Sequence, residues 1–303
     1  MEYIKEGGEK MTAQSTRSEW TEGPSSLVTG IVGYEFDSQV LGDRLAITVA
    51  TPLLYETTTE PLPTLYVLEG GTTVIGYSRL LGALSAGHSP QTLVVGVGYI
   101  LAPGSMARRN RDFTPTVASF PPWVPEGAVD TSFGLGGGRQ FLRSLVEEVI
   151  PGIEACYRVH PTDRTLIGVS LSGLFGLYVL FHQPEAFARY LLVSPAIWWD
   201  NAVCFSYEQA WAEQHTDLPA RVFCAVGELE EVSGRQWPPN MMTDEAMQKA
   251  RMVSNLQELV GRLSSRGYPS LTVESVVFPD EHHLTVFPAA LSRGLMRLFT
   301  GPV

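Results

Sequence analysis

Unbroken apolar runs recur along the chain, and segments with a helical pattern separate them. A strand that is apolar at every position is buried on both faces, as in a parallel sheet covered by helices. Two β-rich segments, 27–36 and 44–52, come first and are joined by turn residues. The six later runs are TLYVLEGG (64–71), TLVVGVGY (92–99), TLIGVS (165–170), YLLVSP (190–195), RVFCAVG (221–227) and LTVESVVFP (271–279). The pattern predicts an α/β protein with a mostly parallel, eight-stranded sheet.

The intervals between these runs predict helices on both faces of the sheet. In the segment 243–267, Thr243 is suited to cap the start of a helix, and Gly267 marks its end. The other predicted helices are VIGYSRLLGAL (74–84), RQFLRSLVEEVIPGIEACY (139–157), SGLFGLYVLFHQ (172–183) and VFPAALSRGLMRLF (286–299).

Two ranges depart from this alternation. Residues 1–26 are rich in Gly, Ser, Thr and Glu, and they predict a flexible polar leader before a domain at 27–303. Residues 100–138 are rich in Pro and Gly and follow no regular pattern. A connection of this length is usually a functional loop, so the sequence predicts a lid-like insertion here. Its GLGGG run lacks the spacing of a phosphate-binding loop.

The composition argues against several classes of partner. A net charge of −11 over 303 residues excludes a basic surface for nucleic acid. No run of about 18 apolar residues suggests a membrane span, and the start lacks the apolar core of a secretory signal, which predicts a cytoplasmic protein. Cys156, Cys204 and Cys224 are widely spaced and predict buried free thiols. The histidines lack metal-ligand spacing, so neither a metal nor another cofactor is expected, and the oligomeric state is left open.

The segment RTLIGVSLSGLFG places a serine between an apolar run and a predicted helix. In a G-x-S-x-G elbow, a tight turn from strand to helix exposes the hydroxyl of such a serine. Gly168 fits the first glycine, and Ser172, which is also small, replaces the second. The pattern favours Ser170 as a nucleophile over the alternative of a loop serine that only makes a turn.

Candidate partners for Ser170 follow later strands, in the order acid and then histidine. An imidazole can take the proton of a serine, and a carboxylate can orient that imidazole. Loops at the carboxyl ends of parallel strands meet at one edge of the sheet, so these groups are expected to converge. The candidate acids in VGELEEVSG are Glu228, Glu230 and Glu231, and the candidate histidines in PDEHHLTVFP are His282 and His283.

The oxyanion of a tetrahedral intermediate needs backbone N–H donors. The residue after the serine, Leu171, is expected to supply one of them. The turn LEGGTT contains Gly70 and Gly71, which allow a close approach of the backbone. The N–H group of Gly71 is the predicted second donor.

Four segments resemble the esterases of the enterochelin esterase type, which have the α/β-hydrolase fold. GVSLSGLFGLYVLF, followed by SPAIWWD, resembles a G-H-S-L-G-G-L-F-x-L-Y block that runs to S-P-x-x-W-W-D. RNRDFTP resembles R-x-x-D-Y-T-P, YVLEGG resembles Y-L-L-D-G, and HLTVFP resembles an H-x-S-V tail. The elbow departs from the pattern at Val169 and Ser172. Siderophore trilactone esterases, S-formylglutathione hydrolase and mycolyltransferases belong to this group.

The resemblance implies roles for particular residues. It favours His283 over His282, and Glu230 over Glu228, with Asp200 as a third candidate acid. Arg109 and Trp199 are the candidate substrate contacts. The alternatives are that Arg109 pairs with Asp112 to fix the long loop, that Trp198 takes the place of Trp199, and that both rings only pack in the core.

The expected function is that of a serine carboxylic-ester hydrolase working through an acyl-enzyme. Ser170 is the expected nucleophile, His283 the base and Glu230 the acid. The expected partner is a small-molecule ester or lactone, and siderophore-type esters are the class that fits the resemblance. An acyltransferase on the same scaffold and a non-catalytic binding protein of hydrolase fold are the alternatives.

Overall fold

The computed structural model describes residues 29–53, 55–69, 74–78, 90–99, 103–232 and 243–300. It also describes a two-residue antiparallel ladder between Tyr3–Ile4 and Lys10–Met11. The rest of the predicted leader lies outside the described residues.

An eight-stranded sheet forms the centre of the molecule. Its strands are β1 (Ile31–Ser38), β2 (Asp43–Ala50), β3 (Leu62–Leu68), β4 (Leu93–Gly98), β5 (Val159–Val169), β6 (Arg189–Val193), β7 (Arg221–Gly227) and β8 (Thr272–Phe278). They lie in the order β8-β7-β6-β5-β3-β4-β2-β1. Strands β3 to β8 pair in parallel, and β2 is antiparallel to β1 and β4. The predicted mostly parallel sheet is therefore confirmed.

Helices cover both faces of this sheet, because successive strand residues point to opposite sides. In β6, Tyr190 and Leu192 belong to one buried cluster, and Leu191 and Val193 belong to the other. The helices are α1 (Ser105–Asp112), α2 (Gly138–Ser144), α3 (Ile150–Cys156), α4 (Leu171–His182), α5 (Cys204–Gln214), α6 (Asp244–Ala250), α7 (Met252–Ser265) and α8 (Val286–Thr300). Helices α2, α3, α4 and α7 contribute to the first cluster, and α8 with the helical residues 74–78 contributes to the second.

The predicted helix over 243–267 is two helices in the structure. Thr243 caps α6 as expected, since its Oγ1 accepts a hydrogen bond of 3.2 Å from the N–H of Ala246. The chain then turns at Arg251, which has a left-handed φ of 49°. The side chain of Asn255 reaches back across this break and donates to the carbonyl of Ala250, 3.1 Å away. Apolar periodicity continues across the break, which is why the pattern predicts one helix.

Two further helices are absent from the predictions. Helix α1 lies inside the predicted lid, and its sequence SMARRNRD has only Ala107 as a buried apolar residue. Helix α5 buries Cys204 and Glu208. Neither helix presents a broad apolar stripe, so periodicity gave no signal for them.

The three cysteines differ in exposure. Cys204 and Cys224 are free and buried, as predicted, whereas Cys156 is exposed. The prediction is wrong for Cys156, because the last turn of α3 presents this residue to solvent. Among the described helices, none combines the length and apolar character needed to cross a bilayer.

Candidate active site

Ser170 occupies the turn between β5 and α4. Its backbone has a φ of 59° and a ψ of −119°, a conformation that residues other than glycine rarely adopt. Two backbone hydrogen bonds hold the turn: the N–H of Ser170 donates to Val193 at 3.0 Å, and the N–H of Leu174 donates to Ser170 at 2.9 Å. The strain at Ser170 is thus imposed by the strand and the helix on either side of it.

The elbow closes around Gly168 and Ser172. A Cβ atom at Gly168 would lie 2.3 Å from the backbone oxygen of Ser172, so the strand and the helix can approach this closely only with glycine there. The hydroxyl of Ser172 is buried, accepts from the N–H of Val169 and donates to the carbonyl of Val169, each at 2.8 Å. The serine that replaces the second glycine therefore adds two hydrogen bonds to the turn.

Glu230 lies in the short helical turn that follows β7 and has no exposed surface. Its Oε1 atom accepts from the N–H of Gly227 at 2.8 Å and from the hydroxyl of Ser194 at 2.5 Å. Its Oε2 atom lies 2.6 Å from Nδ1 of His283. A buried carboxylate requires donors of this kind, because burial removes its contacts with water.

The other predicted acids have different partners. Glu228 accepts from the N–H of Asp280 at 3.2 Å. Glu231 accepts from the N–H and the hydroxyl of Ser254 at 2.7 and 2.5 Å. Asp200 lies in the four-residue turn Trp199–Ala202, beyond β6. Of these candidates, Glu230 is the one that contacts His283.

The loop between β8 and α8 carries His283, and it packs directly against the loop after β7. A Cβ atom at Gly227 would lie 2.3 Å from the backbone oxygen of Glu281. The N–H of Leu229 donates to that same oxygen at 3.0 Å. Nδ1 of the adjacent His282 accepts from the N–H of Leu284 at 3.2 Å. The close contact between the two loops brings His283, rather than His282, to the carboxylate.

Ser170 and His283 line the same cavity, whose volume is about 250 Å³. Leu171 lines it too, and as the first residue of α4 it has an N–H group without an acceptor within the helix. The positive end of the helix dipole adds to the attraction of this position for a negative oxygen. Gly71, the predicted second donor, lies outside the described residues. The other lining residues are Met106, Arg109, Asn110, Val124, Ala128, Val129, Trp198, Met247, Ala250 and Met252.

Comparison with known proteins identifies the family of this chain. The family model described as "Putative esterase" matches residues 38–298. The chain belongs to this esterase family. The resemblance to enterochelin-type esterases that the sequence motifs predict is thereby confirmed, and the protein is a carboxylic ester hydrolase.

Three relatives support the same assignment. The ferri-bacillibactin esterase BesA of Bacillus subtilis is 32% identical over 206 residues, which are 67% of this chain and 65% of BesA. The siderophore triacetylfusarinine C esterase of Aspergillus fumigatus is 29% identical over 282 residues, which are 85% of this chain and 89% of that protein. The solved structure of the siderophore hydrolase EstA from Aspergillus nidulans is 25% identical, with a TM-score of 0.80 over 94% of this chain and 100% of EstA. The predicted α/β-hydrolase fold is confirmed by this match.

Arg109 of the esterase faces the cavity and is held by an acid. One of its terminal nitrogens donates to Oε1 of Glu69 at 2.8 Å. Glu69 directly follows β3 and has a φ of 75°. The alternative in which Arg109 pairs with Asp112 is wrong, because Asp112 accepts from Nε of Arg111 at 2.7 Å.

Among the tryptophans that the structure describes, Trp198 is the one that lines the cavity. Trp199, predicted as a substrate contact, has no exposed surface. Its Nε1 donates to the hydroxyl of Thr116 at 3.2 Å, and its ring packs edge-on against Phe120 at 5.5 Å. Trp198 lines the cavity and packs against Trp123 at 5.5 Å. The interpretation of Trp199 is therefore corrected: its ring packs against the segment predicted as a lid, and Trp198 forms part of the cavity wall.

Sequence reasoning about the esterase missed Ser194 as a contact of Glu230. The available signal was the serine at the end of the run YLLVSP, one position after β6. The methionines of the cavity wall, Met106, Met247 and Met252, were missed too. They come from α1, α6 and α7, and no local pattern relates residues so far apart in the chain.

Within the described residues of the esterase, no group of three or more His, Cys, Asp or Glu side chains is arranged to hold a metal ion.

Proposed function

We propose that the esterase forms an acyl-enzyme on Ser170, with His283 as general base and Glu230 as the acid that orients the imidazole. The observation that carries this proposal is the 2.6 Å contact between Nδ1 of His283 and Oε2 of Glu230, beside a cavity that Ser170 lines as well. A buried carboxylate on Nδ1 leaves Nε2 of the imidazole available to a hydroxyl.

In this mechanism the hydroxyl of Ser170 attacks the ester carbonyl while Nε2 of His283 takes its proton. The N–H group of Leu171 donates to the resulting oxyanion, and Gly71 is the proposed second donor. Collapse of the tetrahedral intermediate breaks the ester bond, and the imidazolium returns its proton to the leaving alcohol. Water then attacks the carbonyl of the acyl-enzyme while Nε2 of His283 takes its proton. The imidazolium returns this proton to Ser170 as the carboxylic acid is released.

We propose a siderophore-type ester as the substrate, because the relatives BesA and EstA are described as a ferri-bacillibactin esterase and a siderophore hydrolase. A cavity of about 250 Å³ lies at the small end of the range for ligand sites. It suits the chain on one side of the scissile ester, while the rest of a bulky substrate remains outside. The thioethers of Met106, Met247 and Met252 can adapt to different acyl groups.

The described part of the proposed lid, residues 103–138, contributes one wall of this cavity. Helix α1 contributes Met106 and Arg109, and the irregular stretch after it contributes Val124 and Val129. A wall built from a long connection can move away to admit a substrate that is larger than the cavity.

The test is hydrolysis of p-nitrophenyl esters and a trilactone siderophore by the wild type and three variants. We expect Ser170→Ala to abolish turnover with an unchanged melting temperature. We expect His283→Gln to lower kcat on the order of 10³-fold or more, while the matched variant His282→Gln stays close to wild type. Full activity in Ser170→Ala would contradict the proposal.

The same assay separates hydrolysis from acyl transfer. With an added alcohol, an esterase partitions its acyl group mainly to water, and an acyltransferase delivers it to the alcohol. A product mixture dominated by the new ester would replace the proposed hydrolysis with transfer. A wild type that hydrolyses p-nitrophenyl esters but leaves the trilactone siderophore intact would contradict the proposed siderophore substrate.

A further inference from the structure

We propose that Ser194 is a positioning residue, whose hydroxyl orients Glu230 for its contact with His283; this rests on the function proposed above. Ser194 follows the last residue of β6 and has no exposed surface. Its Oγ atom donates to Oε1 of Glu230 at 2.5 Å. No other part of the proposed mechanism uses this residue.

The sheet places Ser194 between the two loops that it would connect. Strand β6 lies between β5, which leads to Ser170, and β7, which leads to Glu230. The residue before Ser194, Val193, accepts the backbone hydrogen bond from Ser170 at 3.0 Å. The N–H group of Ser194 donates to Ala225 of β7 at 2.7 Å. The backbone at Val193 and Ser194 is therefore held from both sides, which fixes the position from which the hydroxyl reaches the carboxylate.

The backbone at Ser194 favours glycine over serine. Its φ is 44°, in the left-handed region, where the Cβ atom of a side chain crowds the backbone at a cost in energy. Glycine would adopt the same backbone without that cost. A serine at this position is therefore strained, and its gain over glycine is the hydroxyl that donates to Glu230.

The two donors on Oε1 fix the plane of the carboxylate. Gly227 and Ser194 both donate to Oε1, and Oε2 is left to face His283. Without the hydroxyl, a single backbone N–H group would hold Oε1, and a fully buried charge would lose part of its compensation. The carboxylate could then turn away from the imidazole.

The first test compares Ser194→Ala and Ser194→Gly with the wild type. We expect each variant to lower kcat for a p-nitrophenyl ester about tenfold to a hundredfold, with little change in KM. Ser194→Gly relieves the backbone strain, so an equal loss in both variants assigns the effect to the hydroxyl. The matched control is Ser144→Ala, which removes another fully buried serine with a 3.0 Å hydrogen bond to a glutamate, Glu148. This control should lose stability and keep its kcat.

The second test repeats Ser194→Ala in a Glu230→Ala background. If Ser194 acts through Glu230, the second substitution should lower kcat no further. An equal fold-loss in both backgrounds, or wild-type kcat in Ser194→Ala and Ser194→Gly, would overturn the inference alone. A wild type that hydrolyses no ester would overturn the proposed function, and this inference with it.

Discussion

Glu228, Glu230 and Glu231 lie within one turn, yet their carboxylates have three different environments. Glu228 meets the backbone of Asp280, Glu231 meets Ser254, and Glu230 alone of the three meets His283. Glu230 is also fully buried, which strengthens its interaction with a charged imidazole. At this scale, position in the turn decides the proposed role, because the residue type is the same at all three positions.

Replacing Glu230 by glutamine tests that assignment. We expect kcat to fall on the order of 10⁴-fold, because an amide neither fixes the correct tautomer of His283 nor stabilises the imidazolium. The control is Glu228→Gln, which should keep most of the activity. Steady-state kinetics on a p-nitrophenyl ester would measure both. Equal effects from the two variants would argue that Glu230 has no special part in the reaction.

The pair formed by Arg109 and Glu69 gives a prediction on substrate charge. Glu69 neutralises Arg109 at 2.8 Å, with the arginine side chain 15% exposed at the cavity. We expect Glu69→Gln to lower the KM of an ester with a carboxylate in its acyl chain several-fold, and to leave the KM of a neutral ester of equal length unchanged. Glu35→Gln, which alters an exposed ion pair on β1, is the control. The same shift for both esters would show that charge is not the cause.

The loops after β5, β7 and β8 depend on glycines that allow close approach. Gly227 shows this most clearly, since a methyl group there would lie 2.3 Å from the backbone of Glu281 in the loop that carries His283. A backbone atom cannot give way as the end of a side chain can. The glycine thus sets the separation between the acid and the histidine.

We expect Gly227→Ala to lose about 1–3 kcal/mol of unfolding free energy through overpacking, and to lose activity as the histidine loop shifts. The matched control is Gly33→Ala in β1, where a Cβ atom would meet nothing within 4 Å. Denaturant unfolding and ester hydrolysis measure the two effects. An active, fully stable Gly227→Ala protein would show that the loops can separate without consequence.

The elements themselves were largely predictable, and their contacts were not. The buried strands of the sheet could be predicted because an unbroken apolar run indicates a strand that is buried on both faces. The elbow could be predicted because Gly168 and Ser170 are close in sequence. Trp198 rather than Trp199 lines the cavity, because the ring of Trp199 is hydrogen-bonded to Thr116, 83 residues away in the chain. The hydroxyl of Ser194 donates a hydrogen bond to Glu230, which lies 36 residues later in the chain. Such pairings arise from the order of the strands, which no local pattern records.

The three cysteines differ in whether the fold buries their thiols. Cys224 lies in β7, and burial raises the pKa of its thiol to about 12; burial also raises the pKa of Cys204. A thiol with a raised pKa stays protonated at pH 8, and the reactive thiolate is then scarce. Cys156 is exposed on α3.

We therefore expect a disulfide reagent at pH 8 to modify one thiol in the native protein and three after denaturation. The variant Cys156→Ser should show no fast reaction in the native state. Raising the pH from 7 to 9 should leave Cys204 and Cys224 unreactive, since both pKa values lie above this range. Rapid modification of all three thiols in the native protein would contradict the burial of Cys204 and Cys224.

The central claim is that Ser170, His283 and Glu230 act together in one cavity, and covalent labelling tests it most directly. Treatment with a fluorophosphonate followed by mass spectrometry should add one phosphonyl group per chain, on the tryptic peptide from Thr165 to Arg189. The adduct should be absent in Ser170→Ala and form much more slowly in His283→Gln. An active wild type that carries no adduct on Ser170, or an equal adduct on Ser170→Ala, would contradict the account.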